Sequence, residues 1–339
     1  MDIEPYDPGL APAPFGLANT GATCYLNAFL QALASCTAFT RAVLGNGPYM
    51  GRTATGAAVY AYVAAYAAAD AKGGRALAAP QCEMASAGIL RALVADLAAR
   101  RPSVRFGGGQ ESASEALHHI LDMLEPPPAA ERAGAPLTGP IARLFLHRYR
   151  STGICSQCRA VVSTTEDYAV NINLFHLTAA HDTPATFSEA VRRHETVVPD
   201  YACEACARTA AAAGVTPQRT QLVSIRRLTM APELLVCAFN IYAEHRAHYF
   251  PGQLEFPAEG GGRLGYRLVA QVEHAGALTG GHYWARGLRR EDGPDGPRLR
   301  PYELNDSSVG AAAFGPAPST YLVFYHCTGL APGTTARAT

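Results

Sequence analysis

The chain has 339 residues, 48% hydrophobic and only 17% charged, a composition that suits a buried core and excludes a disordered, solvating chain. Lys+Arg and Asp+Glu both number 28, so no net field points to nucleic acid or to an anionic membrane surface as a partner. Nine cysteines, no basic-then-apolar leader and no membrane-length apolar run argue against a secreted disulfide framework and for reduced thiols and metal ligands, hence an intracellular protein of cytoplasm or nucleus.

Taken in order, residues 1–15 read as a proline-rich, extended leader. A polar loop, Gly16–Thr23, then runs into a helix whose Leu26, Phe29, Leu30 and Leu33 repeat at i, i+3, i+4, i+7 and predict one apolar face. Thr20 and Thr23 are positioned to cap that helix and Gly21 to turn the loop. Cys24 falls in the first helical turn, where unpaired N–H groups and the positive end of the helix dipole favour a thiolate; the competing reading is a plain buried cysteine. Further helices are predicted over Cys36–Arg52 with breaks at Gly45, Gly47 and Pro48, then over Val59–Ala71, Ser86–Arg100 and Gln110–Leu124. Pro126–Pro128 and a polar linker, about residues 129–140, follow. Beyond it the pattern becomes strand-like: Leu144–Tyr149, Val161–Thr165, Tyr168–Leu174, Gln221–Leu228, Leu234–Ile241, Tyr266–His274, Tyr283–Arg286, Tyr302–Leu304 and Tyr321–Tyr325, with one helix at Phe187–Arg193. Helices first and strands afterwards predict an α+β fold with a cleft between the two parts.

Two C-x-x-C pairs, Cys155/Cys158 and Cys203/Cys206, each offer two thiolates from one tight turn. Together they make a four-sulfur set suited to a closed, structural Zn2+ site that takes no part in chemistry. A nucleophilic Cys24 needs a base. Of eleven histidines, His282 alone stands where a glycine-bearing loop, Gly276–Gly281, meets a strand. A later strand ends in Asn305-Asp306, and either residue can orient the His282 ring if the two strands are neighbours.

These residues resemble the ubiquitin-specific proteases. Gly16-Leu17-x-Asn19-x-Gly21-x-Thr23-Cys24-Tyr25-x-Asn27-x-x-Leu30-Gln31-x-Leu33 is similar to that family's Cys box. His274-x-Gly276, Gly281-His282-Tyr283-x-Ala285 and Leu304-Asn305-Asp306-Ser307-Ser308-Val309 are similar to its His box. Gly109–Leu117 resembles its glutamine-rich box, Pro232–Val236 its palm strand, Tyr321–Tyr325 its last core strand, and the cysteine pairs fall where its zinc-bearing fingers lie.

The resemblance implies a papain-like cysteine peptidase with a helical thumb (about residues 15–128), inserted zinc-ribbon-like fingers (about 141–220) and a β-rich palm (about 221–327), between a leader (1–14) and a tail (328–339). It implies a monomeric deubiquitinase that cleaves the (iso)peptide bond at the C-terminal glycine of ubiquitin. Cys24 would be the nucleophile, His282 the base and acid, Asn305 the third member with Asp306 as helper or substitute, and Asn19 the oxyanion donor. Gln110, Glu111, Ser112, Glu115, Gly281 and Tyr283 would border the substrate tail, as would the loop near Tyr242 to Gly265. The chain departs from the family at Ala22, usually asparagine, at Ser112, usually aspartate, at Ala116, usually aromatic, and at Ile241-Tyr242, commonly Arg-Phe. Ser112 bears on the grip on a basic tail and leaves a different ubiquitin-like modifier open as substrate. A catalytically silent ubiquitin-binding scaffold is the remaining alternative.

Overall fold

The structure, a computed structural model, describes residues 6–71, 84–109, 111–125, 139–243, 246–257, 263–277, 280–293 and 296–331. Gln110 and most of the 129–140 linker lie outside these residues.

The first part is helical, as its 3.6-residue patterning predicts: α1 (Cys24–Ala34), α2 (Thr37–Gly45), α3 (Gly47–Met50), α4 (Ala54–Ala71), α5 (Ala85–Arg100) and α6 (Ala113–Leu124). Helix α1 is not one-sided. All eleven of its residues are buried, because it packs on α5 and α6 and also on the palm sheet. Helix α4 begins at Ala54 rather than Val59. The Asp96 carboxylate of α5 accepts hydrogen bonds from the Thr55 N–H (2.7 Å) and hydroxyl (2.6 Å), a tertiary cap that no local pattern shows. Helix α6 starts at Ala113, not Gln110, because the Ser112 hydroxyl caps it by accepting the Glu115 N–H at 3.1 Å. From Tyr6 onward the leader is docked, not extended: Pro8–Leu10 form a 3-10 turn capped by Asp7, and Ala11 and Phe15 are buried.

The short helix α7 (Ala142–Phe145) replaces the start of the first expected strand. β1 (His147–Cys155), β2 (Val161–Ala169), β4 (Arg193–Tyr201) and β5 (Thr220–Met230) form an antiparallel four-stranded sheet in the order β2-β1-β5-β4. The expected Tyr168–Leu174 strand divides. Tyr168 and Ala169 finish β2, and Ile172–Asn173 form β3, parallel to β6 (Leu234–Ala238) in the other sheet. Helix α8 (Pro184–Arg192) precedes β4, and α9 (Glu204–Ala212) follows it. Both β4, with its Glu195, Pro199 and Asp200, and α9, an alanine run, carried no amphipathic pattern.

The second sheet holds β6 (Leu234–Ala238), β7 (Gln253–Pro257), β8 (Arg263–Ala277), β9 (Gly280–Gly293), β10 (Gly296–Asn305), β11 (Ser308–Ala311) and β12 (Thr320–Ala331). It is eight-stranded, in the order β11-β10-β9-β8-β12-β6-β3, with β7 added to β8. The glycine-bearing stretch before His282 is partly strand: Gly276 pairs with Gly281, and Ala277 with Gly280. The main core lies between this sheet and α1, around Phe29, Leu30, Val323 and Phe324. No single helix among the described residues is long and apolar enough to cross a membrane.

Candidate active site

The site forms where three pieces of chain meet: the loop before α1, the start of β9, and the turn between β10 and β11. His282 is the third residue of β9, and β10 pairs with β9 along its length, so the Asn305 end of β10 comes back beside His282. The His282 Nε2–H donates to Asn305 Oδ1 at 2.6 Å. Orienting the ring through Nε2 leaves Nδ1 as the basic nitrogen. Trp284 stacks near the same ring, with centroids 6.1 Å apart and planes at 18°. Of the two candidates left open by the sequence, Asn305 is the one on the histidine.

Asp306 does something else. Its carboxylate accepts from Asn19 Nδ2 at 3.0 Å and from Asn27 Nδ2 at 2.7 Å, and its carbonyl accepts the Leu17 N–H at 2.9 Å. It sits at φ 52° in the turn between β10 and β11, a conformation that aspartate tolerates better than most residues. A side chain at Gly16 would strike the Ser307 carbonyl at 2.6 Å, so only glycine lets the loop approach this turn. The turn that orients His282 therefore also fixes the loop that precedes Cys24. The sequence pattern assigns Asn27 no role; the signal it offers is that Asn27 and Gln31 are the two amide residues on an otherwise largely apolar helix.

Asn19 holds its own loop as well. Its Oδ1 accepts from the Gly21 N–H (3.1 Å), the Thr23 N–H (3.3 Å) and the Thr23 hydroxyl (3.2 Å). Thr23 stands at the cap position of α1, yet its side chain is spent on this loop and not on the helix. Ala22 lies at φ 51°, in the left-handed region where the family's usual asparagine is at ease and alanine is strained.

Cys24 heads α1 and is buried. Burial pushes its thiol above the usual value, and Asp306 adds to the shift. The backbone groups of Tyr283, Tyr25 and Cys24 itself pull the other way but do not win. The helix start is therefore not the whole account of Cys24: burial opposes the thiolate that the helix start favours. The contact with the Tyr283 backbone brings the sulfur to the residue adjoining His282.

Most of the other expected site residues gather around Tyr321, whose ring lies 6.2 Å from that of Tyr242 and 6.1 Å from that of Tyr283. Tyr283 is buried, and its hydroxyl meets that of Tyr242 at 3.2 Å. Tyr242 also reaches His274 Nδ1 at 3.4 Å, and the Tyr283 and His274 rings lie 4.2 Å apart. Gly281 lies in the hairpin tip against the His274 ring. Ser112 hydrogen-bonds the Tyr321 hydroxyl at 3.1 Å. Glu111 turns back to accept the Gly107 N–H at 2.9 Å, and Glu115 pairs with His119 at 3.5 Å.

The four cysteines gather at the far end of the four-stranded sheet. Cys155 ends β1, Cys158 follows in the next turn, and Cys203 and Cys206 open α9. Cys155 Sγ and Cys206 Sγ are 3.7 Å apart, as are those of Cys158 and Cys203, and all four sulfurs lie within 4.8 Å of one another. A tetrahedron with metal–sulfur bonds of about 2.3 Å has edges of about 3.8 Å, so the donor set fits one thiophilic ion such as zinc.

The family model for ubiquitin carboxyl-terminal hydrolase matches residues 15–325. No curated protein matches by sequence. Among solved structures, the yeast SAGA DUB module with an Sgf73 mutant has a TM-score of 0.66 at 16% identity, over 95% of this chain and 70% of that one. The Ubp8-containing SAGA DUB module bound to monoubiquitin scores 0.63 at 16% identity, over 97% of this chain and 72% of that one. The module bound to ubiquitin aldehyde scores 0.64 at 17% identity, covering 95% and 71%. These likenesses carry the fold.

Proposed function

Because the chain belongs to the ubiquitin carboxyl-terminal hydrolase family, whose members are cysteine deubiquitinases, we propose that Cys24, His282, Asn305 and Asn19 carry out its hydrolysis at the C-terminal glycine of ubiquitin. The observation that carries this assignment is the 2.6 Å bond from His282 Nε2–H to Asn305 Oδ1, with Cys24 against the backbone of the next residue, Tyr283.

His282 Nδ1 takes the Cys24 proton as the sulfur attacks the glycine carbonyl. Burial raises the Cys24 pKa and so favours the thiol, which suits attack coupled to this proton transfer. Negative charge then develops on the carbonyl oxygen. Asn19 Nδ2 carries two hydrogens, and the one given to Asp306 fixes the amide plane so that the other, with the Cys24 N–H, is offered to the oxyanion. Asp306 is thus a positioning residue for the oxyanion donor and not a substitute for Asn305. Collapse returns the proton from His282 to the leaving amine and leaves a thioester on Cys24. Water, deprotonated by His282, then releases the ubiquitin carboxylate.

Cys155, Cys158, Cys203 and Cys206 would hold one Zn2+, which ties β1 to α9 and fixes the tip of the fingers. Ubiquitin is the proposed partner, gripped between fingers and palm with its tail passing Ser112, Tyr242, Tyr283 and Gly281. A nucleophilic thiol outside any disulfide and a thiolate metal site suit a reducing intracellular compartment.

Hydrolysis of a ubiquitin C-terminal fluorogenic amide tests the roles. Asn19→Ala should lower kcat by about 10²–10³ with KM little changed, as loss of one oxyanion donor does elsewhere. An unchanged kcat would remove Asn19 from the mechanism.

A further inference from the structure

Arg289 is fully buried, far along β9 from His282. Among the described residues its hydrogen-bond partners are all neutral. Nη1 donates to the Ser35 hydroxyl at 2.7 Å and to the Leu288 carbonyl at 2.8 Å. Nη2 donates to the Gln31 carbonyl at 3.0 Å and to Gln31 Oε1. The Phe15 ring lies under the guanidinium at 5.4 Å, and Tyr6, Tyr62, Tyr66 and Cys36 close the surroundings. Burial lowers its pKa to about 10, so at neutral pH the group remains a cation. Burying a charge without a carboxylate is costly, and here the counter-charge is the end of a helix. The Gln31 carbonyl belongs to the last turn of α1, where carbonyls lack helical partners.

Helix α1 and strand β9 run side by side and are in contact toward both ends. At one end Cys24 meets the Tyr283 backbone. At the other, Ser35 lies so close over Gly287 that a Cβ there would come within 2.3 Å of its hydroxyl, and Arg289 grips Gln31 and Ser35. Helical rise spreads Cys24 and Ser35 by about 16 Å, and strand rise spreads Tyr283 and Gly287 by about 13 Å, so the two elements are matched in length between the contacts. Gln31 also donates to the Phe15 carbonyl at 2.8 Å, which ties the leader into the same junction.

We propose that Arg289 is a positioning residue for the reaction: by capping the C-terminal end of α1 from β9 it sets the placement of Cys24, at the head of α1, relative to His282, at the head of β9. The inference rests on the functional reading above. Its physical content is that two rigid elements joined at both ends cannot slide or rotate against each other. Without the distal joint, α1 is free to shift on the sheet, and a misplacement of about 1 Å between reacting groups costs about 10²-fold in rate. Arginine suits the task because one planar fork reaches several acceptors at once, whereas lysine is a single point charge.

The test is steady-state kinetics on the full chain with a ubiquitin C-terminal amide, each variant normalised by end-point titration with a ubiquitin electrophile. Arg289→Met should lower kcat by about 10–100-fold and leave KM within about twofold. Arg289→Lys should recover part of that loss. Ser35→Ala, which removes one acceptor and leaves the charge in place, should lower kcat a few-fold, and its effect should not add to that of Arg289→Lys. A purely structural role would reduce the melting temperature and the titrated fraction but leave kcat per titrated site at the wild-type value. That result in Arg289→Lys and Ser35→Ala overturns the proposal even where Arg289→Met fails to fold. A wild-type chain that binds ubiquitin but never turns over would instead overturn the functional reading beneath it.

Discussion

Strand β6 of the palm is buried at each of its residues, Leu234–Ala238, whereas β2 and β4, the outer strands of the fingers, are exposed along most of their length. The palm sheet lies against α1 and shares its core. The fingers sheet has Val161, Val197 and Val198 open to solvent, and its far end is gathered by four cysteine sulfurs. Apolar burial that cannot close around the fingers is replaced there by a metal-ligand cluster, the usual recourse of small, poorly cored units. The proposed catalytic groups sit on the palm side, at the edge of that core: Cys24 is buried, His282 and Asn305 are half-buried, and Asn19 is exposed.

The difference can be broken most forcefully at the cysteines. Structural zinc contributes on the order of 10 kcal/mol to small finger units. Cys203→Ser, or chelation, should therefore raise hydrogen exchange throughout β1, β4 and β5, weaken ubiquitin binding, and leave the amides of β8, β9 and β12 protected. Loss of protection in both sheets together would mean that they form one cooperative unit.

Next in size is a change confined to the palm. His282→Ala should lower kcat by at least ~10³-fold, about 4 kcal/mol of transition-state stabilisation, without altering metal content or hydrogen exchange in the fingers. A residual rate within tenfold of wild type would point to another base.

Acid should loosen both regions through histidines buried in the neutral form. Burial lowers the pKa of His147, at the root of β1, and of His326, in β12, to about 4. His326 Nε2 accepts the Ala38 N–H at 3.2 Å at the start of α2, a bond that protonation abolishes. Both folded values lie below the unfolded value near 6.5, so the unfolded chain takes up the protons. Stability is then full above pH ~6.5 and falls as pH drops toward ~4, by about 1.4 kcal/mol per pH unit for each group. Urea melts between pH 7 and 5 check this, and His326→Gln should flatten the slope; a slope unchanged by that variant would acquit His326.

The smallest effect is expected in the loop before α1. Ala22→Asn relieves a left-handed alanine and should add roughly 0.5 kcal/mol of stability, read as a small rise in melting temperature, with kcat retained.

How far the sequence carried depends on range. The helices of the first part follow from local periodicity, and of the motif residues His282 bonds Asn305 while Cys24 lies against the Tyr283 backbone. What stayed hidden is tertiary. Full burial of α1 works against the local argument for a Cys24 thiolate, because desolvation depends on what packs over the helix start. Asp306 serves Asn19 and Asn27, residues far from it in the chain, so neighbouring Asn305 could not reveal its role. Arg289, within Leu288-Arg289-Arg290-Glu291-Asp292, has the local composition of a solvated strand end, and only the fold shows that it is buried against α1. Strand β4 was missed because a strand exposed on both faces has no alternation to read.

The decisive measurement is intact-mass analysis of the chain after reaction with ubiquitin bearing a C-terminal electrophile. One adduct per chain is expected, mapped to Cys24, with none on Cys24→Ala and only slow formation on His282→Ala. An adduct that persists on Cys24→Ala, or a wild-type chain that binds ubiquitin yet acquires none, would contradict the assignment of Cys24 as the nucleophile.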